Sequence, residues 1–413
     1  MIYTLAPAMA SSASAGQGQG RRVEPVRAAT GMGALPLDAL YDILLRLPAK
    51  ELCRLRSVCR PWRSLLSDPA FAAAHAARYP EPLIIVGYNY NDSAPPPESD
   101  ERDWTKPRRY QCVISVMDLT GHVVKNLRVD GHIASMSLSL ACVKRTGDGS
   151  CRLVNPATGA VHHVPEEDPP YGYSDRLCPF GQVASTREFK VLRKVSYSLN
   201  GNPRVLYEIC TVAGTGRSNA QWRMIQDHPH RIDIDWRDKA SVVIDGVVYF
   251  LSKNYASSSS SAGSEEQDWI ASFDLDAERW RPNIRGPQSL TVVNNGNDNG
   301  LAVDEELSLT NLNGSLVIVH LQSPPCMNLW YLLDSEKGLW VRQYSIQVEE
   351  WDCSLSCFTP LIVLDDGRIV IHVEGSEMLE IYDPKTNKLS SVADTGVSSA
   401  VSVYTGTLLS LEW

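Results

Sequence analysis

At 413 residues the chain exceeds one ordinary domain of roughly 100–200 residues, so it holds two domains or one large repeat domain. Apolar residues make up 43% and charged residues 21%, a globular balance whose core can be large enough to need no disulfide or metal staple. The formal net charge of −9 excludes a general nucleic-acid or anionic-membrane binder, because phosphate contacts need clustered Lys and Arg.

Residues 1–34 read as a disordered tail, rich in Gly, Ser and Gln and lacking the charged start of a signal peptide. No apolar run in the chain approaches the ~18 residues of a membrane span. The ten cysteines are scattered from Cys53 to Cys357 with no C-x-x-C pair, and Cys112, Cys142 and Cys210 sit in strand-like apolar stretches. Such thiols behave as small buried hydrophobes and suit a reducing compartment, the cytoplasm or the nucleus. The sequons at Asn91 and Asn313 are then chance matches.

Helical periodicity is confined to residues 35–80. Leu40, Ile43, Leu44 and Leu47 recur at i, i+3, i+4 and i+7, with Asp38 in the first turn and Pro48 as the stop. A second segment carries Leu52, Leu55, Val58 and Cys59 on one face. A third begins around Pro61 and presents Trp62, Leu65 and Leu66; Asp68 then caps an Ala-rich helix from Pro69 to about Arg78. These apolar positions outnumber what so small a bundle buries, and each large aliphatic left exposed forgoes roughly 1.5–3 kcal/mol. The surplus marks a partner surface.

From residue 82 to 413 the pattern changes to short β-branched or alternating runs, such as Leu83–Val86, Gln111–Met117, Ser241–Leu251 and Ser315–His320. Two low-complexity inserts, 91–109 and 256–268, read as loops. A degenerate repeat recurs: a strand, an Asp or Asn turn, and a returning strand with an aromatic or aliphatic residue. It occupies 115–129, 153–165, 272–284, 331–346 and 380–392, with a weaker copy at 208–225. The spacing brackets the length of a four-stranded propeller blade, so about six blades are expected. The run 397–413 has no downstream partner and is expected to pair with the strands after Pro82, closing the ring. An irregular pair of β-sandwiches is the alternative.

Sites for chemistry are sparse. His162-His163 and the histidines of 227–230 lack ligands at metal-site spacing, and Asp233, Asp235 and Asp238 lack the Gly and distal Glu of a calcium loop. The tryptophans at 222, 236, 269, 280, 330 and 340 read as blade-packing residues. No cofactor and no metal are expected.

The stretch 35–66, LPLDALYDILLRLPAKELCRLRSVCRPWRSLL, resembles an F-box nearly end to end. The resemblance implies docking on a Skp-type adaptor, and through it on a cullin and a RING subunit. Leu35, Pro36, Ile43, Leu47, Pro48, Leu52, Leu55, Val58, Cys59 and Trp62 would then be the adaptor-facing and core positions. The remainder is similar to the F-box-associated β domain of plant F-box proteins, through LVNPATGAVHHVP, PFGQVASTREFKVLR, VVIDGVVYFL, IASFDLDAERW and LWYLLDSEKGLWV. The expected architecture is α+β: a small three-helix F-box followed by a large all-β domain, a closed propeller. The resemblance implies a non-catalytic receptor that tethers a protein substrate for ubiquitination and degradation. A propeller enzyme, or a glycan- or protein-binding scaffold outside ubiquitin ligases, is the alternative; a glycosidase would need two converging carboxylates that no spacing here enforces.

Overall fold

The computed structural model describes residues 37–47, 49–78, 81–91, 110–145, 151–157, 159–165, 173–174, 179–186, 188–199, 202–212, 221–226, 238–252, 268–287, 290, 306–322, 326–348, 358–398 and 400–404. The expected tail, the two low-complexity inserts, the calcium-like aspartates Asp233 and Asp235, and residues 405–413 lie largely outside them. Helix α1 (Leu37–Leu44) is followed by α2 (Ala49–Leu55), α3 (Arg60–Leu66) and α4 (Pro69–Arg78). Within α2–α4 the buried apolar side chains among the described residues are Leu52, Leu66, Phe71 and Ala72. The caps are local: Asp68 Oδ1 accepts the Ala70 N–H at 2.7 Å, as an N-cap aspartate should.

Every later element but one short 3-10 turn is a strand, grouped into six sheets. Blade 1 contains β1 (Leu83–Asn91), β2 (Tyr110–Met117) and β3 (Val123–Asp130); blade 2 contains β4 (His132–Ser137), β5 (Leu140–Lys144), β6 (Cys151–Val154) and β7 (Val161–Val164). Blade 3 is built from β8 (Tyr173–Ser174), β9 (Phe180–Gln182), β10 (Phe189–Leu199), β11 (Asn202–Val212) and β12 (Arg223–Met224). Blade 4 is built from β13 (Ser241–Ile244), β14 (Val247–Leu251), β15 (Asp268–Asp274), β16 (Arg279–Trp280) and β17 (Ile284–Arg285). Blade 5 runs β18 (Glu306–Leu312), β19 (Ser315–Gln322), β20 (Cys326–Asp334), β21 (Leu339–Gln347). Blade 6 runs β22 (Phe358–Val363), β23 (Ile369–Val373), β24 (Met378–Asp383), β25 (Lys388–Asp394). The last strand, β26 (Ala400–Tyr404), returns to blade 1 and pairs antiparallel with β1, from Leu83 opposite Tyr404 to Gly87 opposite Ala400. This is the pairing expected of the C-terminal run.

Six hydrophobic clusters fill the six junctions between neighbouring blades, including blade 6 against blade 1 through Val370, Leu379 and Ile381 against Ile84, Val86 and Met117. Among the described residues no strand of one sheet pairs with a strand of the next, so side-chain packing, not a continuous ladder, holds the ring. The tryptophans expected to pack blades do so at a recurring place. Trp222, Trp280 and Trp340, on or beside the outer strand of their blades, each donate the indole N–H to a carbonyl of the preceding blade. The acceptors are Pro165 O at 3.1 Å, Gln226 O at 3.0 Å and Arg285 O at 2.7 Å. Leu389 takes the equivalent place in blade 6. Trp330 is buried in the cluster between blades 4 and 5, and the Trp236 and Trp269 side chains lie outside the described residues.

All six repeated motifs are the third and fourth strands of a blade. In five of them an Asp or Asn forms an Asx turn: Asp274 Oδ1 accepts the Asp276 and Ala277 N–H groups, both at 2.9 Å, and Asp334 Oδ1 accepts those of Glu336 and Lys337, both at 3.0 Å. For Asp274 burial raises the carboxyl pKa, but backbone N–H groups and Arg281 outweigh it and hold it below the usual range. Lys337 and the backbone lower Asp334, and backbone bonds lower Asp383. A depressed folded pKa stabilises above the unfolded value and ceases to as the pH falls through the folded one. The melting temperature of the ring should therefore drop below about pH 4. Asp274→Asn should flatten part of that drop in melts followed by circular dichroism.

Ser241–Leu251, expected as one strand, is instead a hairpin. Asp245 and Gly246 adopt φ of 47° and 75° and reverse the chain between β13 and β14, the two-residue turn that Asp-Gly favours. Asn313 and Gly314, at 52° and 85°, do the same between β18 and β19. The Asn313 side chain then clasps the next blade like a short strand. Its Nδ2 donates to Val363 O at 2.8 Å, and its Oδ1 accepts from Val363 N at 3.0 Å. Asn89 Oδ1 likewise accepts the Ile133 N–H at 2.7 Å between blades 1 and 2. Asn313→Ala should cost about 1 kcal/mol in urea denaturation, the net worth of exchanging exposed hydrogen bonds for bonds to water.

Candidate functional site

The helical segment positions the expected adaptor residues unequally. Leu52 is fully buried, as a core residue. Leu47, Leu55 and Trp62 are half-buried, and Cys59 is exposed as the extended residue that precedes α3. Two aliphatics are left in solvent, Ile43 at 46% and Val58 at 62% of their full exposure. Leu35, Pro36 and Pro48 lie outside the described residues. Two polar side chains brace the turns: Arg56 Nη2 donates to Leu66 O at 2.6 Å, and His75 Nε2 lies 2.9 Å from Leu47 O. Burial lowers the His75 pKa, against the raising effect of that backbone bond. The imidazole is therefore neutral at pH 7.

In the ring, the strand directions separate two faces. One carries the short reversals at 138–139, 245–246 and 313–314 and the Asx turns of the outer hairpins. On the other lie the strand ends that residues 92–109, 252–267, 286–305 and 348–357 connect. A cavity of about 490 Å³ runs between the innermost strands. Deeper in, Met136, Val243, Leu309 and Val401 give the walls an apolar stretch, beside the hydroxyls of Ser135 and Ser137.

Its charged groups gather at the end where the innermost strands begin. Glu306 opens β18, Thr359 is the second residue of β22, and Ser398 lies just before β26. Lys239 Nζ lies 2.7 Å from Glu374 Oε1, an ion contact off the line of a hydrogen bond, with the ammonium nitrogen itself covered. Beside them His372 is buried, with Nε2 3.3 Å from Thr395 Oγ1 and 3.8 Å from Glu377 Oε2. Desolvation lowers its pKa, although Glu374 and Glu377 pull upward. Sequence reasoning singled out none of these residues. They sit at the starts or ends of five strands, β13, β18, β22, β23 and β26, so only the assembled ring brings them together.

His162 and His163 sit on β7, where His162 lies against the Phe189 ring at a centroid distance of 5.5 Å. Among the described residues no group of three His, Cys, Asp or Glu side chains is placed to hold a metal ion.

Residues 33–72 match the family model of the F-box domain, and residues 99–406 match that of the F-box associated beta propeller domain. F-box protein At3g07870 of Arabidopsis thaliana is 23% identical over an alignment of 430 residues that covers 94% of each chain. F-box protein CPR1 of the same plant is 22% identical over 385 residues, 87% of this chain and 84% of that one. A third Arabidopsis thaliana relative, At3g10240, is 28% identical over 233 residues, and the match spans about half of each chain, 54%.

Proposed function

Because the chain belongs to the plant-type F-box proteins that carry an F-box-associated β-propeller, we propose that it is the substrate-recognition subunit of a Skp–cullin–F-box ubiquitin ligase. The observation that carries this is the union, in one chain, of a matched F-box with exposed aliphatics and a six-bladed ring matched to the F-box associated beta propeller domain. The helical segment docks on a Skp-type adaptor as helices enter an apolar groove. Ile43, Val58, Cys59 and Trp62, with Leu35, Pro36, Leu47 and Pro48, face the adaptor; Leu52 and Leu55 hold the helices that present them. The ring holds a protein substrate, acting in the cytoplasm or the nucleus.

The transfer chemistry belongs to the charged E2 that the cullin and RING subunit bring. The receptor contributes effective concentration and orientation of substrate lysines, not a nucleophile. Val58→Asp, alone and with Ile43→Asp, should weaken co-purification with adaptor and cullin at least about thirtyfold, the effect of losing a ~2 kcal/mol interface anchor. The melting of the ring should be unchanged. Full retention of adaptor by the double variant, or ubiquitin transfer by the isolated chain, would overturn the reading.

A further inference from the structure

The central cavity carries its charges at the end where the innermost strands begin, and that mouth is chemically one-sided. Among the described residues Glu306 and Glu374 line this end, Glu377 stands behind them accepting from Ser398, and Lys239 is the one ammonium beside them. The reachable charge is the negative one. The Glu374 side chain is 42% exposed, whereas Lys239 is 25% exposed and its nitrogen is covered. Thr359 adds a covered hydroxyl with no hydrogen-bond partner among the described residues, a group able to accept or donate. Beyond this rim the wall turns aliphatic at Leu309 and Val401. At about 490 Å³ the space lies within the roughly 300–1,000 Å³ of sites that enclose a ligand.

An occupant must therefore combine an apolar stem with a cationic, donor-rich head. An acidic or phosphorylated group would meet carboxylates at the entrance and find the Lys239 ammonium already engaged by Glu374. We propose that the mouth of the channel takes one basic side chain, arginine or lysine, from the protein that the ring binds. This rests on the receptor reading above and adds to it the chemical class of the recognised residue. The methylenes of such a side chain pack on the aliphatic wall while the head meets Glu374 and Glu306 in charge-assisted hydrogen bonds.

The test uses the full chain purified with its adaptor and a phage-displayed library of random peptides. Selected peptides should be enriched in a central Arg or Lys. Replacing that Arg with citrulline, which keeps shape and removes charge, should weaken binding at least about tenfold in fluorescence polarisation. Glu374→Gln and Glu306→Gln, each tested separately, should weaken the Arg peptide and leave the citrulline peptide nearly unaffected. The citrulline comparison needs no protein variant, so a destabilised Glu374→Gln cannot mask the answer. Enrichment of acidic or purely apolar peptides, equal binding of Arg and citrulline, or no selected peptide at all would each overturn the proposal. If adaptor and cullin still assemble in those cases, the receptor reading stands and only the basic-side-chain assignment falls.

Discussion

Truncation ahead of Ala400 should leave the β domain insoluble when it is produced from Pro82 onward. The cut removes β26, which exposes the whole inner side of β1 and opens the ring at blade 1. It also removes Tyr404, which is 4% exposed, and Val401 and Val403, which pack between blades 6 and 1. At roughly 1.5–3 kcal/mol for each buried side chain, the loss is comparable with the whole stability of a typical domain, about 5–15 kcal/mol. The decisive control is a circular permutant in which residues 396–404 precede Leu83 through a short linker. It restores the same pairs and should recover solubility. A soluble truncation that melts like the parent would show that β26 is dispensable.

Replacing Trp280 with alanine should cost about 3 kcal/mol or more, near the lower bound for emptying a large aromatic site because its edge reaches solvent. The indole meets Phe273 and Tyr207 edge-on, at centroid distances of 5.1 and 5.3 Å, and ties blade 4 to Gln226 O of blade 3. Trp280→Phe keeps much of the ring contact and loses the N–H donor, so it should cost about 1 kcal/mol. Urea denaturation of both variants separates packing from the hydrogen bond. A cost below ~1 kcal/mol for the alanine variant would remove Trp280 from its place as a wedge between blades.

The parts of this fold legible in the sequence are those fixed by local chemistry. An Asp or Asn side chain that caps its own turn needs nothing from the rest of the chain, so Asp118, Asn155, Asp274, Asp334 and Asp383 marked the outer hairpins in order. The helix start at Asp68 is legible for the same reason. The innermost strands were harder. In blade 3 that strand is broken into β8 and β9, of two and three residues, too short for any periodicity. The β4–β5 turn rests on Leu138 and Ser139 at φ of 49° and 63°, residues with no preference for left-handed backbone. Asp245-Gly246 did carry a turn signal, hidden inside an apolar run. The clasps of Asn89 and Asn313 and the mouth of the channel are contacts between blades, with no spacing in the sequence to betray them.

The pairing of Leu83 with Tyr404 has a mechanical corollary. The start of β1 and the end of β26 lie side by side at one end of an antiparallel ladder, so tension drawn between them peels it. Each hydrogen bond is loaded in turn, beginning at Leu83 and Tyr404, and never shared among all five residue pairs as shear along the strands would share it. A pull on the C-terminus against the N-terminal side should thus open blade 1 at low force and free its strand edge before any other blade yields. The same ring pulled from two blades across its diameter would have to tear side-chain packing at two junctions at once. Resistance to extension is set here by where the ends sit, and the ring is weakest along the one axis its own chain provides.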